Sequence, residues 1–427
     1  MRNIQKLIVF TLLTFVFSCS NDDVLQDTNN DTNILSKGNG GNNQNNKIQF
    51  SQSNLIVKYK AGTSSSTRDT LRQIHGVFSF EECKHCPPDE MIEMWNFGGP
   101  INIEPKKQVM ESPTDPPGQL YPQGEGIEDV DYEFKFMIKG YNNNSYTSSF
   151  TTDYADYVKE HNSGITVAVI DTGIDVSLPV FSVDFLYDAD EDGIEGVTSG
   201  WDFLNNDHDP FDDNPRKHGT IIAEKIHSIL TLKGVPHQIL PIKAFDVQGV
   251  GSYFDVVCAT NHAVRFANII NMSFGWPEDT FGDFADTIFS TLISSNPQVM
   301  FVASAGNEGV NNDTTPHFPS SYPQANISAV AASNQAHSNI AWFSNYGPVT
   351  VDYFASGYSY FLGDEVYGTS FSAPVVAAEI ADIMNNPEIE SENAIDIIDA
   401  LEISGTSTDG FSTLKPVKYD RHFISID

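Results

Sequence analysis

The sequence is short of positive charge. Of its 427 residues, 57 are acidic and only 23 are basic, which gives a formal net charge of −34. A surface this negative repels phosphate backbones, so nucleic acid is not expected as a partner. The acidity favours solubility, and the steering of cationic peptides is a second interpretation. Hydrophobic residues still make up 40% of the chain, which is enough to form the core of a globular protein.

Cysteine is also scarce, with four residues in the whole chain. Cys83 and Cys86 form a single C-x-x-C motif, and without a second pair they are too few for a structural zinc site. A local disulfide and two free thiols both remain open for this pair. Cys258 lies in a stretch with a helical pattern, 255–266, where we expect a small, buried apolar side chain.

The first 19 residues have the pattern of a lipoprotein signal peptide. Arg2 and Lys6 precede an apolar run at 7–18, which is shorter than the roughly 20 residues of a membrane-spanning helix. The run leads into Val-Phe-Ser-Cys at 16–19, which resembles a bacterial lipobox and predicts that Cys19 is acylated. An ordinary signal peptide is the alternative.

Residues 20–48 are rich in Asn, Asp, Gly and Thr and nearly lack large apolar groups. Such a segment cannot bury enough surface to fold, so we interpret it as a disordered tether. Its first residues, Ser-Asn-Asp-Asp at 20–23, resemble the acidic tag of surface-exposed lipoproteins in Bacteroidetes. We therefore expect a protein of the bacterial cell envelope that is anchored by lipid, with the outer-membrane surface as the candidate location.

Two folded units are predicted after the tether. Residues 49–140 have a mixed pattern, with a strand at 55–59, a helix at 66–74 and an extended stretch at 127–138. We expect a small α+β domain there. Residues 141–427 form the second and larger unit.

From residue 164 the chain alternates short apolar strands with helices. The apolar runs stand at 165–170, 238–244, 267–272 and 299–303, and the helical patterns stand at 218–232, 254–266 and 284–295. Uninterrupted apolar strands separated by helices are typical of a parallel sheet covered on both faces. The predicted fold class is therefore α/β, and sites in such sheets lie beyond the C-terminal ends of the strands.

Four short motifs stand where such a site would lie. Asp171 ends the first apolar strand, and His218 opens a helix in the motif His-Gly-Thr. Asn307 follows another apolar strand in Ala-Gly-Asn-Glu-Gly, and Ser370 stands in Gly-Thr-Ser-Phe-Ser-Ala-Pro before the apolar helix 375–384. Taken singly, each has an ordinary explanation, because Asp and Ser are common helix caps and a lone His is more often a surface residue.

Taken together and in this order, the four motifs resemble those of the subtilisin-like serine peptidases, over residues 164–403. The resemblance implies a subtilisin-like fold and a catalytic triad of Asp171, His218 and Ser370, with Asn307 as an oxyanion donor. It implies hydrolysis of peptide bonds through an acyl-enzyme, with a peptide or protein as substrate and no required cofactor.

The resemblance also implies two walls of a substrate pocket. The expected walls are Ser273, Phe274 and Gly275 on one side and Ala303, Ser304 and Ala305 on the other. Phe274 and the small residues around Ser304 permit a medium or large apolar side chain before the cut. The alternative for both segments is ordinary sheet core.

An acidic loop offers a candidate metal site. Asp188, Asp190 and Asp192 alternate along the chain, and carboxylate oxygens are suitable ligands for Ca²⁺. The twelfth position of the loop is Ser199 rather than Glu, so the loop is no EF-hand. Bound calcium and a solvated acidic loop are both open.

The first folded unit resembles a regulatory segment. Residues 55–77 resemble the start of a subtilisin-type propeptide and lie upstream of the catalytic motifs. We predict that 49–140 is a propeptide that assists and inhibits the peptidase, with self-cleavage between Lys139 and Ser163. A permanent N-terminal domain is the alternative.

Two other functions fit the same motifs. One is a surface binding protein on an inactive peptidase scaffold, which the intact set of four site residues argues against. The other is a peptide ligase or cyclase on the same fold, which differs from a hydrolase in the group that accepts the acyl chain.

Replacing Cys19 with Ala is expected to move the protein from the detergent phase to the aqueous phase, because lipid on Cys19 is the predicted anchor. Detergent phase separation of full-length protein expressed in bacteria measures this. Ser20→Ala serves as the control and should partition like the wild type. Equal partition of Cys19→Ala and wild type would contradict lipidation at Cys19.

Overall fold

The computed structural model describes most of the two predicted folded units. The described residues are 50–87, 90–111, 126–140, 144–147, 154–190, 199–277 and 287–388, with short pieces at 397, 406–407 and 421–424. The predicted signal peptide and tether lie outside the described residues. Within the described part of the chain, no helix combines the length and the apolar character needed to cross a membrane.

The N-terminal unit is an antiparallel sheet with two helices. Its elements are β1 (Phe50–Tyr59), α1 (Ser65–His75), β2 (Ser79–Glu82), β3 (Ile92–Asn96), α2 (Ile103–Glu111) and β4 (Ile127–Met137). The strands lie in the order β2-β3-β1-β4, and each neighbouring pair is antiparallel. The predicted strand, helix and extended stretch are all present, although the strand at 55–59 begins earlier, at Phe50.

Local signals in the sequence set the ends of α1. The Ser64 hydroxyl accepts a hydrogen bond from the Thr67 backbone N–H at 3.1 Å, which is the usual role of an N-cap serine. Gly76 ends the helix with a φ of 68°, a left-handed conformation that glycine adopts without steric cost. Between these ends, Leu71 is buried in one apolar cluster with Trp95.

The second unit is built on a parallel sheet. Its elements are a one-turn helix (Tyr154–Asp156), β5 (Ile165–Asp171), β6 (Trp201–Asp202), α3 (His218–Lys233), β7 (His237–Lys243), β8 (Val250–Ser252), α4 (Tyr253–Ala263), β9 (Ile269–Met272), β10 (Trp276–Pro277), α5 (Thr287–Ser295), β11 (Met300–Ser304), β12 (His317–Phe318), β13 (Ile327–Ser333), β14 (Tyr353–Ser356), β15 (Tyr358–Phe361), β16 (Asp364–Tyr367), a second one-turn helix (Thr369–Phe371), α6 (Ala373–Met384), β17 (Thr406–Ser407) and β18 (Arg421–Ile424).

The main sheet runs in the order β17-β18-β14-β13-β11-β9-β5-β7-β6. Every neighbouring pair from β18 to β6 is parallel. The four strands and three helices predicted from the periodicity are all present, and their ends lie within three residues of the predicted ones. Residues 284–286 of the third predicted helix lie outside the described residues. The predicted α/β fold class, a parallel sheet covered by helices, is confirmed.

Successive side chains of β5 face two separate helical layers. Val167 and Val169 belong to the cluster that contains α3 and α6, whereas Ala168 and Ile170 belong to the cluster that contains α4 and α5. Because side chains alternate across a strand, burial on both faces requires an unbroken apolar run. This explains the continuous apolar pattern from which the parallel sheet was predicted.

The strands that follow β5 are added to the sheet first on one side of it and then on the other. The chain passes from β5 to β7 on one side and later returns to β9 on the other side. At such a switch point, the loops leave the two strands in opposite directions and open a crevice at the C-terminal edge of the sheet. Asp171 is the last residue of β5 and therefore lies at this crevice.

Two acidic side chains of β4 cap helices of the second unit. A carboxylate oxygen of Glu133 accepts a hydrogen bond from the Phe254 backbone N–H of α4 at 3.0 Å. Asp131 accepts hydrogen bonds from the Thr287 and Ile288 backbone N–H groups of α5, at 3.1 and 3.0 Å. The N–H groups of a first helical turn have no partner within the helix, so these carboxylates supply one.

Three cysteines meet where the two units touch. The sulfur atoms of Cys83, Cys86 and Cys258 all lie within 4.8 Å of one another. The Cα atom of Cys83 is 5.8 Å from that of Cys86 and 5.5 Å from that of Cys258, and both separations suit a disulfide. Cys258 is buried as expected, but it also brings a third sulfur to a pair that the sequence analysis treated as isolated.

Burial gives the Asp131 contact a pH dependence. Burial raises the pKa of the Asp131 carboxyl group from 3.8 to about 7, whereas hydrogen bonds from Tyr253 and Ile288 act to lower this pKa. A carboxyl group whose pKa is raised in the folded state favours the protonated form, so its contribution to stability is lost as the pH rises between these values. The stability of the wild type relative to Asp131→Asn should therefore fall across this window.

Thermal unfolding of the full chain at several pH values measures this difference. Glu128→Gln is the matched control, because Glu128 stands on the same strand with 42% of its side chain exposed. The opposite result is that the wild type becomes more stable than Asp131→Asn as the pH rises. That result would mean that the N-termini of the helices stabilise the charged carboxylate.

Candidate active site

Asp171 and His218 form a buried pair at the crevice. His218 Nδ1 lies 2.8 Å from Asp171 Oδ1 and 3.0 Å from Oδ2. The Asp171 side chain is fully buried, and its Oδ1 also accepts a hydrogen bond from the Thr172 backbone N–H at 2.8 Å. A buried carboxylate needs such partners to offset the loss of water. These contacts fix the orientation of the imidazole.

The close approach of α3 to β5 depends on a glycine. A Cβ atom on Gly219 would lie 2.3 Å from the carbonyl oxygen of Gly173, which no side chain can tolerate. The Gly219 backbone N–H instead donates to the Thr172 hydroxyl at 2.9 Å. This contact holds the first turn of the helix, and with it His218, against the end of β5. It gives the His-Gly-Thr motif a structural reason.

A second carboxylate supports the start of α3. Asp212 Oδ2 accepts hydrogen bonds from the Thr220 backbone N–H at 3.1 Å and from the Thr220 hydroxyl at 2.6 Å. Burial raises the pKa of Asp212 to about 6, although the hydrogen bonds from Thr220 and the charge of Lys217 lower it. Lys217 Nζ also lies 2.9 Å from Asp175 Oδ2. Asp212 and Lys217 were not predicted from the sequence.

Ser370 lies in the one-turn helix that precedes α6. Its hydroxyl donates to the Ser273 backbone carbonyl at 3.0 Å, and the Ser273 hydroxyl donates back to the Ser370 carbonyl at 2.8 Å. The ring of Phe371, the next residue, lies 5.7 Å from the ring of His218. The other ring nitrogen of His218, Nε2, is buried and has no hydrogen-bond partner among the described residues. The segment that carries Ser370 thus lies against His218 through Phe371, and the Ser370 hydroxyl and His218 Nε2 do not bond each other.

Asn307 is oriented by the segment that carries Ser370. Its side-chain oxygen accepts hydrogen bonds from the backbone N–H and the hydroxyl of Thr369, at 2.8 and 3.1 Å. The amide nitrogen Nδ2 therefore points into the crevice, where it donates to the backbone carbonyl of Lys139. The side-chain amide thus contacts a peptide carbonyl that comes from the end of the N-terminal unit.

The peptide bond between Lys139 and Gly140 lies inside the crevice. On one side, the Lys139 carbonyl is held by Asn307. On the other side, a Cβ atom on Gly140 would stand 3.2 Å from Cδ2 and 3.4 Å from Nε2 of His218. Farther along, the Tyr146 backbone N–H donates to the Pro215 carbonyl at 2.7 Å. The chain therefore passes from the first unit through the site into the second.

The predicted pocket walls lie where the strands β9 and β11 end. Ser273, Phe274, Ala303, Ser304 and Ala305 are all buried. Ser273 contacts the Ser370 segment, as described above. The Phe274 ring lies 5.1 Å from that of Phe245 and 6.0 Å from that of Phe136. Phe274 therefore packs beside Phe136, which lies three residues before Lys139, rather than beside Lys139 itself.

Two residues at the crevice were missed by the sequence analysis. Glu308 Oε1 lies 2.8 Å from Lys139 Nζ. His317 lies under the crevice, because Cβ atoms on Gly275 and Gly306 would stand 2.2 and 2.9 Å from its ring. The signal for Glu308 was its position directly after Asn307. His317 is far from the motifs along the chain and had no such signal.

The expected calcium ligands are not gathered by the described structure. Asp192 lies outside the described residues, and Asp188 Oδ1 accepts a hydrogen bond from the Asp190 backbone N–H at 3.0 Å. Within the described ranges, the one group of three or more metal-ligating side chains is the cysteine trio at the contact between the units. Calcium at the acidic loop stays a prediction.

A buried Asp–His pair at a switch point, a serine at a helix start and an amide donor on a peptide carbonyl are the parts of a serine-peptidase type of site. A family model described as the subtilase family matches residues 162–407. The chain belongs to the subtilase family.

Curated relatives agree with this assignment. The chain is 35% identical to the thermophilic serine proteinase of Bacillus sp. (strain AK1) over 277 residues, which cover 60% of this chain and 61% of that protein. It is 30% identical to thermitase of Thermoactinomyces vulgaris over 261 residues, which cover 58% of this chain and 84% of thermitase. The chain spans about three fifths of the length of the Bacillus sp. relative and of several others.

The fold is also found in a solved structure. The epidermin leader peptide processing serine protease of Staphylococcus aureus matches with a TM-score of 0.55 and 16% identity, over 88% of this chain and 96% of that chain. A match this wide has to include residues before 162, so the N-terminal unit takes part in the shared fold.

If Asn307 is the oxyanion donor that the resemblance implies, Asn307→Ala should lower kcat on a peptide substrate by about 10²- to 10³-fold with little change in KM, the cost of removing one such donor. The amide would act mainly on the charge that forms in the transition state. Steady-state kinetics on a peptide substrate measures both constants. A change confined to KM would instead make Asn307 a contact to the ground-state substrate.

Proposed function

We propose that the protein is a serine endopeptidase of the subtilisin type. Ser370 is the nucleophile, His218 is the general base, Asp171 orients the imidazole and Asn307 stabilises the oxyanion. The observation that carries the proposal is the position of the chain's own 139–140 peptide bond, which lies between the amide of Asn307 and the imidazole of His218.

The chemistry follows from these positions. Ser370 Oγ attacks the carbonyl carbon, His218 Nε2 takes the hydroxyl proton, and Asp171 stabilises the imidazolium through Nδ1. Asn307 Nδ2 and the Ser370 backbone N–H receive the negative charge of the tetrahedral intermediate. His218 then protonates the leaving amine, and water repeats the steps on the acyl-enzyme. Before the attack, the hydroxyl of Ser370 has to turn away from the Ser273 carbonyl and toward His218.

The N-terminal unit is proposed to act as an inhibitory propeptide. Lys139 and Gly140, which follow its last strand, lie in the crevice, and Asp131 and Glu133 of that strand cap helices of the second unit. An occupied crevice is closed to other substrates, so the chain is a zymogen until it is cut after β4. The rival proposal is a permanent N-terminal domain that remains uncut in the active protein.

We also propose that the protein is held in the bacterial cell envelope by lipid on Cys19. The support comes from the charged start, the apolar run and the lipobox-like end of residues 1–19. The polar segment 20–48 would then separate the folded units from the membrane surface.

A fluorophosphonate probe tests the nucleophile directly. We expect the wild type to be labelled at Ser370 alone, and Ser370→Ala to be unlabelled. Ser372→Ala is the matched control, because Ser372 is equally buried two residues away, and it should be labelled like the wild type.

Labelling that survives Ser370→Ala would remove Ser370 as nucleophile. Absence of labelling in every form of the wild type, including one from which the N-terminal unit has been cut, would favour an inactive scaffold with a binding role.

A further inference from the structure

The end of the N-terminal unit lies in the crevice as an extended substrate would. Lys135–Met137 of β4 pairs antiparallel with Val250–Ser252 of β8. The pairing continues through the Ile138 backbone N–H, which donates to the Gly249 carbonyl at 2.9 Å. Addition of a strand to an exposed edge is a common way to bind an extended peptide, with side chains entering pockets. The side chains of 136–139 therefore report which pockets the crevice offers.

Lys139 occupies the position directly before the bond that would be cut. Its carbonyl oxygen accepts a hydrogen bond from the Asn307 amide, and the following residue, Gly140, lies against His218. If Asn307 and His218 have the roles proposed above, the 139–140 bond is the scissile bond of this bound segment. This inference thus rests on the proposed function.

The lysine side chain meets an acidic partner. Lys139 Nζ lies 2.8 Å from Glu308 Oε1, with 53% of the lysine side chain exposed and only 19% of the glutamate. Burial would raise the pKa of Glu308, but three effects lower it overall: the charge of His317, which is present only at acidic pH, the charge of Lys139, and hydrogen bonds from Lys139 and Asn345. The carboxylate is therefore charged and ready to pair with a cation.

Glu308 is held in place from behind. The Asn345 amide donates to Glu308 Oε2 at 3.0 Å, and the Asn345 side-chain oxygen accepts from the Glu308 backbone N–H at 3.0 Å. Asn345 thus holds both the backbone and the carboxylate of Glu308. A side chain held in this way needs little reordering to bind a substrate, which favours selectivity for charge. Steering by a net charge of −34 would add to the attraction of cationic peptides.

His317 limits the alternative, a large apolar side chain in the same pocket. Its ring fills the space between Gly275 and Gly306 beneath the crevice. The residue is 7% exposed, and burial lowers its pKa to about 4. It therefore stays neutral near pH 7 and does not oppose a substrate cation. A neutral His317 beneath the pocket and the Glu308 carboxylate at its side suit a long basic side chain.

A second pocket receives Phe136, three residues before Lys139. The Phe136 ring lies 5.0 Å from the ring of Trp276, 5.5 Å from that of Phe245 and 6.0 Å from that of Phe274. Aromatic pairs at such separations add to the free energy of burial. Phe274, which the sequence analysis placed beside the residue before the cut, belongs to this second pocket.

We propose that the enzyme selects peptides with a basic residue before the cut, bound by Glu308, and an aromatic residue three positions earlier, bound by Phe245, Phe274 and Trp276. The chain's own Phe-Met-Ile-Lys at 136–139 is the first such segment, so self-cleavage falls between Lys139 and Gly140. This replaces the apolar preference expected from the sequence.

A charge exchange tests the lysine pocket on the full chain. Intact mass and N-terminal sequencing of the wild type should show a new N-terminus at Gly140. Lys139→Glu and Glu308→Lys should each reduce cutting there, and the double variant should restore it, because the pair has only been reversed. Lys135→Glu makes the same charge change four residues earlier, at an exposed position of β4, and should be cut like the wild type.

Short fluorogenic peptides test the preference apart from self-cleavage. With Phe-Met-Ile-Lys and Phe-Met-Ile-Leu, the ratio of kcat/KM for lysine over leucine should fall about tenfold in Glu308→Gln. Glu388→Gln, a change at an exposed glutamate, should leave the ratio unchanged. Replacing Phe by Ala in the lysine peptide should lower kcat/KM by about tenfold in the wild type.

The results separate this inference from the proposed function. A protein that is labelled by fluorophosphonate at Ser370 but prefers leucine, or cuts its chain elsewhere with no rescue in the double variant, overturns the inference and leaves the peptidase. A protein that is neither labelled nor active on any peptide overturns the proposed function itself.

Discussion

The hydrogen bond between Asp171 and His218 is the interaction on which the site depends. The aspartate is fully buried at the end of a central strand, and a buried carboxylate without partners would be costly. Its partners are the imidazole and the first backbone N–H after the strand, so α3 has to begin at His218 and pack directly on β5. The glycine that follows permits this approach, because a Cβ there would meet the Gly173 carbonyl. The end of β5, the start of α3 and Gly219 are therefore all needed for the contact between Asp171 and His218.

The second constraint is the crevice itself, which is occupied by the chain. Strand β4 adds to the edge strand β8 and leads Lys139 onto Asn307. Its acidic side chains cap α4 and α5 from the same strand. Strand β4 therefore docks the N-terminal unit and caps two helices, and the residues that follow it fill the substrate position. This combination of contacts supports an inhibitory propeptide better than it supports a permanent N-terminal domain.

Several features of the fold were predictable because they follow from local periodicity. The apolar runs of β5, β7, β9 and β11 could be found because burial on both faces leaves no polar position in the strand. The start of α3 at His218 and the helix α6 after Ser370 followed from motif and composition. The pocket was less predictable. Phe274 stands beside the expected wall in sequence, yet its ring turns toward Phe136, because alternate residues of an extended segment point in opposite directions.

The sequence by itself determined the family, the α/β class and the four candidate site residues, since each motif is a short segment whose chemistry can be recognised without its neighbours. Only the tertiary structure decided what those residues meet. The contacts between Lys139 and Glu308, between Asn307 and the Lys139 carbonyl, and among Cys83, Cys86 and Cys258 all join segments far apart along the chain. Such pairings leave no local pattern, because they arise when the last strand of one unit docks on the sheet edge of the other.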